Sequence, residues 1–296
     1  MNSLRLAAPW MAGWLSLMVI MAVAGREATR ELAVFEVMEI RSLIGLLMLA
    51  PMIRASGGWE ALRSRRLPLH IGRNAVHYGA QLGWFVALTM IPLSQVVAIE
   101  FTMPIWTALL AAGFLGERLN LWKAAAVAFG LIGVTLIVRP SAAGANIGQL
   151  IALAAAVGFA ISLTMTKSLT ATESPAGIIF WMLLLQSAIG LLPALAVWRW
   201  PSPGVWGWLT LIAFCGTYSH YCMARAMRHA DATLVVPMDF LRVPLTALAG
   251  WLVYAERIDS LTALGTLLIL GGNLLNLPAA RRSQAVTPPA NSAARR

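Results

Sequence analysis

Glu100, Asp239, Arg41 and Arg242 are ionisable side chains set inside long apolar runs of a 296-residue chain. Such groups are costly away from water unless they are paired or used. Two kinds of chemistry are open to them: binding a charged or zwitterionic solute, and taking up and releasing a proton. The carboxyls suit the second, because burial favours their neutral form. Asp239 and Arg242 are three residues apart, so they share a helical face and could also satisfy each other. Arg41 has Glu39 two positions away and Glu36 five away, neither at a spacing that shares its face. Its guanidinium does not lose its charge, so it needs a partner from another element or an anionic solute. Asn74, His77, Tyr78 and Gln81 are spaced i, i+3, i+4 and i+7, a polar stripe fit to line a water-filled path. The bland alternative is hydrogen bonding between helices, worth about 0.6 kcal/mol each. Thr217, His220 and Tyr221 repeat the pattern later, with Tyr218 nearby. The candidate binding set is therefore Arg41, Asn74, His77, Tyr78, Gln81, Glu100, Tyr221, Asp239 and Arg242, with Glu100 and Asp239 as candidates for proton exchange. Trp84, Phe101 and Phe240 are either aromatic walls or packing.

The elements that position these residues show in the hydropathy. The chain is 59% hydrophobic and 11% charged, with a mean hydropathy of +0.75. Its apolar segments run near 7–24, 33–53, 71–90, 93–115, 121–138, 148–167, 176–198, 205–227, 232–254 and 261–277. Their length and continuous hydrophobicity fit membrane helices, because in lipid the backbone must bond within its own segment. Glu100 and Asp239 then lie about 10–12 Å inside their spans at 1.5 Å per residue. Gly130, Gly133, Gly271 and Gly272 are expected to let helices approach closely, and Asn273 and Asn276 to bond between helices. Trp10, Trp59, Trp122, Trp198, Trp200 and Trp206, near segment ends, fit an interfacial belt.

The net charge of +10 does not point to nucleic acid, since the 22 Lys and Arg, apart from Arg41, Arg73 and Arg242 within spans, lie between apolar runs rather than on one face. Arg5, Arg54, Arg63, Arg65, Arg66, Arg118, Lys123, Lys167, Arg225, Arg228, Arg281, Arg282, Arg295 and Arg296 share one side. Arg26, Arg30, Arg139, Arg199 and Arg257 fall on the other. That bias places both termini in the cytoplasm. Cys215 and Cys222 would be ~10.5 Å apart on one helix, too far to bridge. No metal spacing, phosphate loop, dinucleotide fingerprint or HExxH is present, so no cofactor or metal is expected. The first segment ends in Ala22-Val23-Ala24, which mimics a signal cleavage site. The repeat described next needs it as a helix.

Val96 to Arg118 reads VVAIEFTMPIWTALLAAGFLGER and returns as VVPMDFLRVPLTALAGWLVYAER from Val235 to Arg257. Gly133 matches Gly272 at the same offset of 139. Ser42, Ile44, Gly45, Leu46 and Leu47 match Ser187, Ile189, Gly190, Leu191 and Leu192 at 145, which makes Gln186 the mate of Arg41. Two five-helix repeats follow, at 1–138 and 148–278, with a linker at 139–147 and a disordered cytoplasmic tail at 279–296. Five being odd, the second repeat crosses the membrane inverted, with a site between the halves near the midplane. The fold class is an all-α integral membrane protein with ten transmembrane helices.

The span closing on Leu115-Gly116-Glu117-Arg118-Leu119, its echo Tyr254-Ala255-Glu256-Arg257, the arginine of Glu39-Ile40-Arg41-Ser42 and the duplicated layout resemble the EamA-type transporters of the drug/metabolite transporter superfamily. The resemblance covers nearly the whole chain. It implies helices around a central cavity that opens to either side in turn, and substrates among amino acids, nucleobases, vitamins, sugars or opine-type metal chelators. Glu117-Arg118 and Glu256-Arg257 are read as helix-end devices that cap or pair locally. The expected function is transport, by resemblance export, of a small polar metabolite such as an amino-acid-derived zwitterion or an opine-type metallophore, matched by the opposite charges and open to proton coupling. The alternative is uptake of a vitamin or nucleoside-like heteroaromatic compound stacked on Trp84, Phe101 and Tyr221. An integral-membrane enzyme using His77 or His220 is disfavoured, because the polar groups are buried and echoed in both halves; a passive channel is disfavoured by the apolar Leu and Val runs. The expected partners are a small-molecule substrate and the lipid bilayer of a bacterial inner membrane, with a homodimer left open and no nucleic acid.

Overall fold

Long apolar runs close their backbone hydrogen bonds within themselves, and the described parts of the chain are accordingly helices joined by short turns and loops. The computed structural model describes all residues except 1, 56, 116–120, 139–145, 170–171, 230–237 and 287–296. The helices are α1 (Asn2–Ala28), α2 (Val34–Met48), α3 (Ala50–Ala55), α4 (Leu67–Met90), α5 (Leu93–Glu100), α6 (Met103–Leu115), α7 (Leu121–Val138), α8 (Ile147–Leu169), α9 (Pro175–Ala196), α10 (Pro203–His229), α11 (Arg242–Tyr254) and α12 (Ser260–Val286). A 3-10 turn spans Gly58–Leu62, and no strand occurs among the described residues. Leu6–Ala28, Ile147–Thr166 and Pro175–Ala196 are each long and apolar enough to cross a membrane by length and composition. The last helix runs past residue 278 to Val286, so part of the segment expected to be a disordered tail is helical. The good helix formers Ala279 to Arg282 favour that extension. Most of the 139–147 linker and the Glu117-Arg118 ending lie outside the described residues.

Three expected spans are divided, and proline accounts for each. Pro104 has no N–H and its ring clashes with the carbonyl four residues back, that of Glu100. The helix therefore stops at Glu100, turns through Phe101 and Thr102, and restarts at Met103. Thr102 closes the turn by donating its hydroxyl to Ile99 O at 2.6 Å, and its own carbonyl accepts from Ile105 N at 2.9 Å. In the second repeat Pro244 acts in the same way on Phe240, and α11 begins at Arg242 after a turn at Phe240–Leu241. Pro51 divides α2 from α3.

The halves interlock in a paired pattern. α1 lies along α10 as α8 lies along α4; α2 touches α10 as α9 touches α4; α1 meets α11 as α8 meets α5 and α6. α2 packs on α9, α5 on α11 and α7 on α12, so these helices meet their own repeat mates. Exchanging the repeats leaves every one of these contacts in place, as a pseudo-two-fold relation requires.

The α7–α12 seam is a backbone-to-backbone contact. A Cβ on Gly133 would sit 2.5 Å from Gly265 O, one on Gly265 would sit 2.5 Å from Gly133 O, and one on Gly272 would sit 2.9 Å from Ala126 O. Gly271 has open space instead, and Gly130 faces the Ile105 side chain. Gly133→Ala should therefore push the helices apart at a cost of about 1–3 kcal/mol, lowering the unfolding temperature in detergent. Gly271→Ala should leave that temperature unchanged, and equal effects of the two would refute the seam.

At the end of the molecule where α1 ends, α5 begins and α11 ends, Glu256 ties the halves. It accepts from the Arg26 guanidinium and, at 3.0 Å, from Leu93 N. Arg26 also donates to Leu88 O at 2.5 Å and to Ile91 O. The left-handed turn at Ala255, φ +54°, folds Glu256 back over Gly250. Tyr254 donates to Glu27 at 2.8 Å. In the adjoining loop Glu31 accepts from the Ser202 N–H and hydroxyl, which hold its carboxyl below the usual carboxylate range. The Glu256 pairing is long-range rather than the local device expected.

Candidate functional site

The two divided helices place their carboxylates at the breaks, and the breaks face each other. Glu100 ends α5, Asp239 precedes the turn before α11, and Arg242 opens α11. Arg242 Nη2 lies 2.9 Å from Glu100 Oε1, while its Nε lies 3.6 Å from Asp239 Oδ1. Glu100 Oε2 also accepts from the Trp84 indole at 2.9 Å, and Asp239 Oδ1 from the Trp14 indole at 2.5 Å. The guanidinium stands 4.7 Å over the Phe101 ring, which packs edge-on against Phe240 at 5.5 Å. Arg242 is 5% exposed, a degree of burial at which a cation–π contact adds to the ion pairs. Two carboxylates thus share one cation. The Phe101 carbonyl freed by the break accepts from buried Asn273 at 2.8 Å.

A second centre sits where α2 meets α9 and α4. Arg41 donates to Gln81 Oε1 and, at 3.0 Å, to Gln186 Oε1, and lies 5.8 Å from the Phe85 ring. The partner that its charge demands is therefore a pair of amide oxygens, one from its own repeat mate. Glu39 accepts from Ser187 at 2.5 Å. The edge-to-face pair Phe85 and Trp84, 5.2 Å between centroids, bridges this centre to Glu100.

The polar stripe of α4 divides between neighbours. At 100° per residue the four side chains span about 100° of the helix surface, too wide to face one partner. Tyr78 and Gln81 turn towards α9 and α2. His77 meets Ser162 of α8 at 3.2 Å and packs on Phe159. Asn74 accepts from Arg73, which also reaches Thr166 of α8. Tyr221 is 43% exposed and packs against Trp10. The His220 side chain lies outside the described residues. The structure thus brings together Glu100, Asp239 and Arg242, and separately Arg41, Tyr78 and Gln81. Trp14, Glu39 and Gln186 join them. The 145-residue offset marks Gln186 as Arg41's mate, whereas nothing in the sequence sets Trp14 apart from the other apolar residues of the first segment. Two open surface concavities lie elsewhere, one lined by Ala247, Leu248, Trp251, Glu256, Arg257 and Ile258, the other by residues including Met48, Trp206 and Phe214. Both polar centres are instead closed by their own mutual contacts.

The profile of the EamA-like transporter family matches residues 6–139 and 146–277. A riboflavin transporter of Brucella anthropi is 32% identical over 238 residues, 78% of this chain and 84% of its own length. A riboflavin transporter of Vibrio cholerae is 31% identical over 73% of each chain. An S-adenosylmethionine uptake transporter of Rickettsia prowazekii is 24% identical over 84% of each. The pseudopaline exporter of Pseudomonas aeruginosa is 26% identical over 85% of this chain and 88% of its own. A solved structure at 21% identity superposes with a TM-score of 0.66, covering 94% of this chain and 98% of its own, and shows the same fold.

Proposed function

The chain belongs to the EamA-like transporter family, and on that premise we propose that it moves a heteroaromatic solute with a polar chain across the bacterial inner membrane by alternating access. Both termini lie in the cytoplasm, and the repeats are inverted about the α5–α11 and α2–α9 contacts. The observation that carries the substrate class is the Glu100–Arg242–Asp239 centre, walled by Phe101, Phe240, Trp84 and Trp14. Flat rings provide stacking surface, and the excess carboxylate accepts from hydroxyl or amino groups. Relatives named for riboflavin and for S-adenosylmethionine fit that chemistry. A second reading, an amino-acid-derived zwitterion, is supported by the separation of Arg41 from the Glu100–Asp239 pair and by the pseudopaline relative.

Riboflavin uptake into proteoliposomes, compared with S-adenosylmethionine and a panel of zwitterionic amino acids, tests the proposal. Saturable riboflavin uptake is expected, reduced at least about tenfold by Glu100→Gln, the equivalent of 1.4 kcal/mol, with the variant still folded. Saturable movement of the zwitterions alone would transfer the assignment to the second reading. Undiminished riboflavin uptake in Glu100→Gln would remove the carboxylate from the site.

A further inference from the structure

Glu39 is the carboxyl that neither the resemblance nor the α5–α11 centre uses, and it has the least ordinary surroundings. It is 1% exposed in the middle of α2. One oxygen accepts from Ser187; the other, Oε2, is buried with no hydrogen-bond partner. No cation among the described residues pairs with it, because Arg41, two positions on, points to Gln81 and Gln186 instead. Beside it the Tyr78 hydroxyl is equally buried and unpartnered. Both atoms surround the same spot: a Cβ on Gly190 of α9 would lie 3.0 Å from Glu39 Oε2 and 2.9 Å from the Tyr78 hydroxyl.

The ionisable groups around Glu39 are Tyr78 from α4 and, on its own helix, Arg41 and Glu36. Glu36 is taken up by the backbone N–H groups of Ala33 and Arg199. From α9 come Gln186, Ser187 and Gly190. α10 meets α2 through Gly216 and Thr217, and none of these ionises. A carboxylate there would be a buried charge with one hydrogen bond and no counter-ion, which is strongly unfavourable. A proton removes the charge, leaving a neutral carboxyl held by Ser187 on one oxygen and set beside the neutral Tyr78 hydroxyl on the other. Glu100 and Asp239 differ, since each holds Arg242 and an indole N–H, and protonating either would strip the guanidinium of a counter-charge.

We propose that Glu39, rather than Glu100 or Asp239, is the protonated carboxyl of this state and the residue that carries the coupling proton, at the α2–α9 interface where the repeats meet. When that interface opens, the carboxyl O–H bond breaks, the proton passes to water and the electron pair stays on the carboxylate. No other reactant is needed. Closing again requires a proton, which makes the two conformations differ in proton affinity, the condition for coupling. The coupling half of the proposal rests on the transport reading; the protonation half does not.

Infrared difference spectroscopy of the purified full chain in lipid, titrated from acid to alkaline pH, reads protonation directly. The C=O band of a buried protonated carboxyl is expected at neutral pH in the wild type, in Glu100→Gln and in Asp239→Asn, and lost in Glu39→Gln. Its persistence in Glu39→Gln, or its absence from the wild type, overturns the assignment. Should Glu39→Gln fail to fold, Ser187→Ala must shift the band, and an unshifted band overturns it equally. For coupling, one proton moving down one pH unit supplies a factor of about ten in accumulation. Riboflavin in proteoliposomes should show that gain in the wild type, and Glu39→Gln should lose the gain by more than any loss in its riboflavin exchange at equal pH on both sides. An unchanged gain in the variant overturns the coupling. Failure of riboflavin to move in any variant would strike the substrate proposal and leave the infrared result to decide Glu39.

Discussion

Arg242→Ala is expected to abolish transport and to destabilise the protein by about 3 kcal/mol, near the lower end of the cost of removing one partner from a buried ion pair. The lower end applies because the Glu100 and Asp239 side chains keep 15% and 16% of their exposure. The loss exceeds that of either acid alone, since it leaves two carboxylates facing each other with only indole N–H groups to hold them. Adding Glu100→Gln to Arg242→Ala should therefore recover part of the stability and none of the transport. Arg242→Lys should fall between, because an ammonium keeps the charge but cannot present one nitrogen to Glu100 while another turns to Asp239. Thermal unfolding in detergent, set beside uptake in proteoliposomes, measures both effects. A stable, inactive Arg242→Ala would show that the arginine serves the substrate without holding the site together.

How far the sequence reached depends on what a repeat can report. The offsets of 139 and 145 identify Asp239 as the mate of Glu100 and Gln186 as the mate of Arg41, and in the structure both pairs come together. Helices that straddle a pseudo-two-fold axis pack on their own copies, so mates near the axis must meet. The offsets do not say which helices those are. The Glu100–Arg242 pair was consequently hidden behind the nearer Asp239–Arg242 spacing, which proves the longer contact at 3.6 Å. The proline breaks were visible as Pro104 and Pro244, but an apolar run reads as continuous whether or not its helix is. Spacing alone put the α4 stripe on one face, although its width lets neighbouring helices divide it. The glycines split in the same way, since a sequence shows a missing Cβ but not the carbonyl opposite: Gly133 and Gly272 lie in the seam, Gly271 does not, and Gly265 had no signal.

Arg26→Gln is expected to open the end of the molecule closed by Glu256, and to do so more than Glu256→Gln. Charge-assisted hydrogen bonds contribute about 1.5–3 kcal/mol each. The side chains here retain 14% and 15% exposure, so the lower value applies, which is about tenfold in the ratio of closed to open forms. Glu256→Gln loses the ion pair, but the amide oxygen can still accept from Leu93 N. Arg26→Gln loses the ion pair together with the donors to Leu88 O and Ile91 O, which anchor the turn between α4 and α5. Hydrogen exchange of the segment around Leu93 should accordingly speed up in both variants, more in Arg26→Gln, and the double variant should add little to Arg26→Gln. The swapped pair, Arg26→Glu with Glu256→Arg, separates charge pairing from backbone capping. A simple ion pair would survive the exchange. Here the Glu at 26 would face the Leu88 and Ile91 carbonyls and the Arg at 256 would face the Leu93 N–H, each with like polarity, so the swap should exchange at least as fast as Arg26→Gln. Restoration by the swap would reduce the closure to one salt bridge.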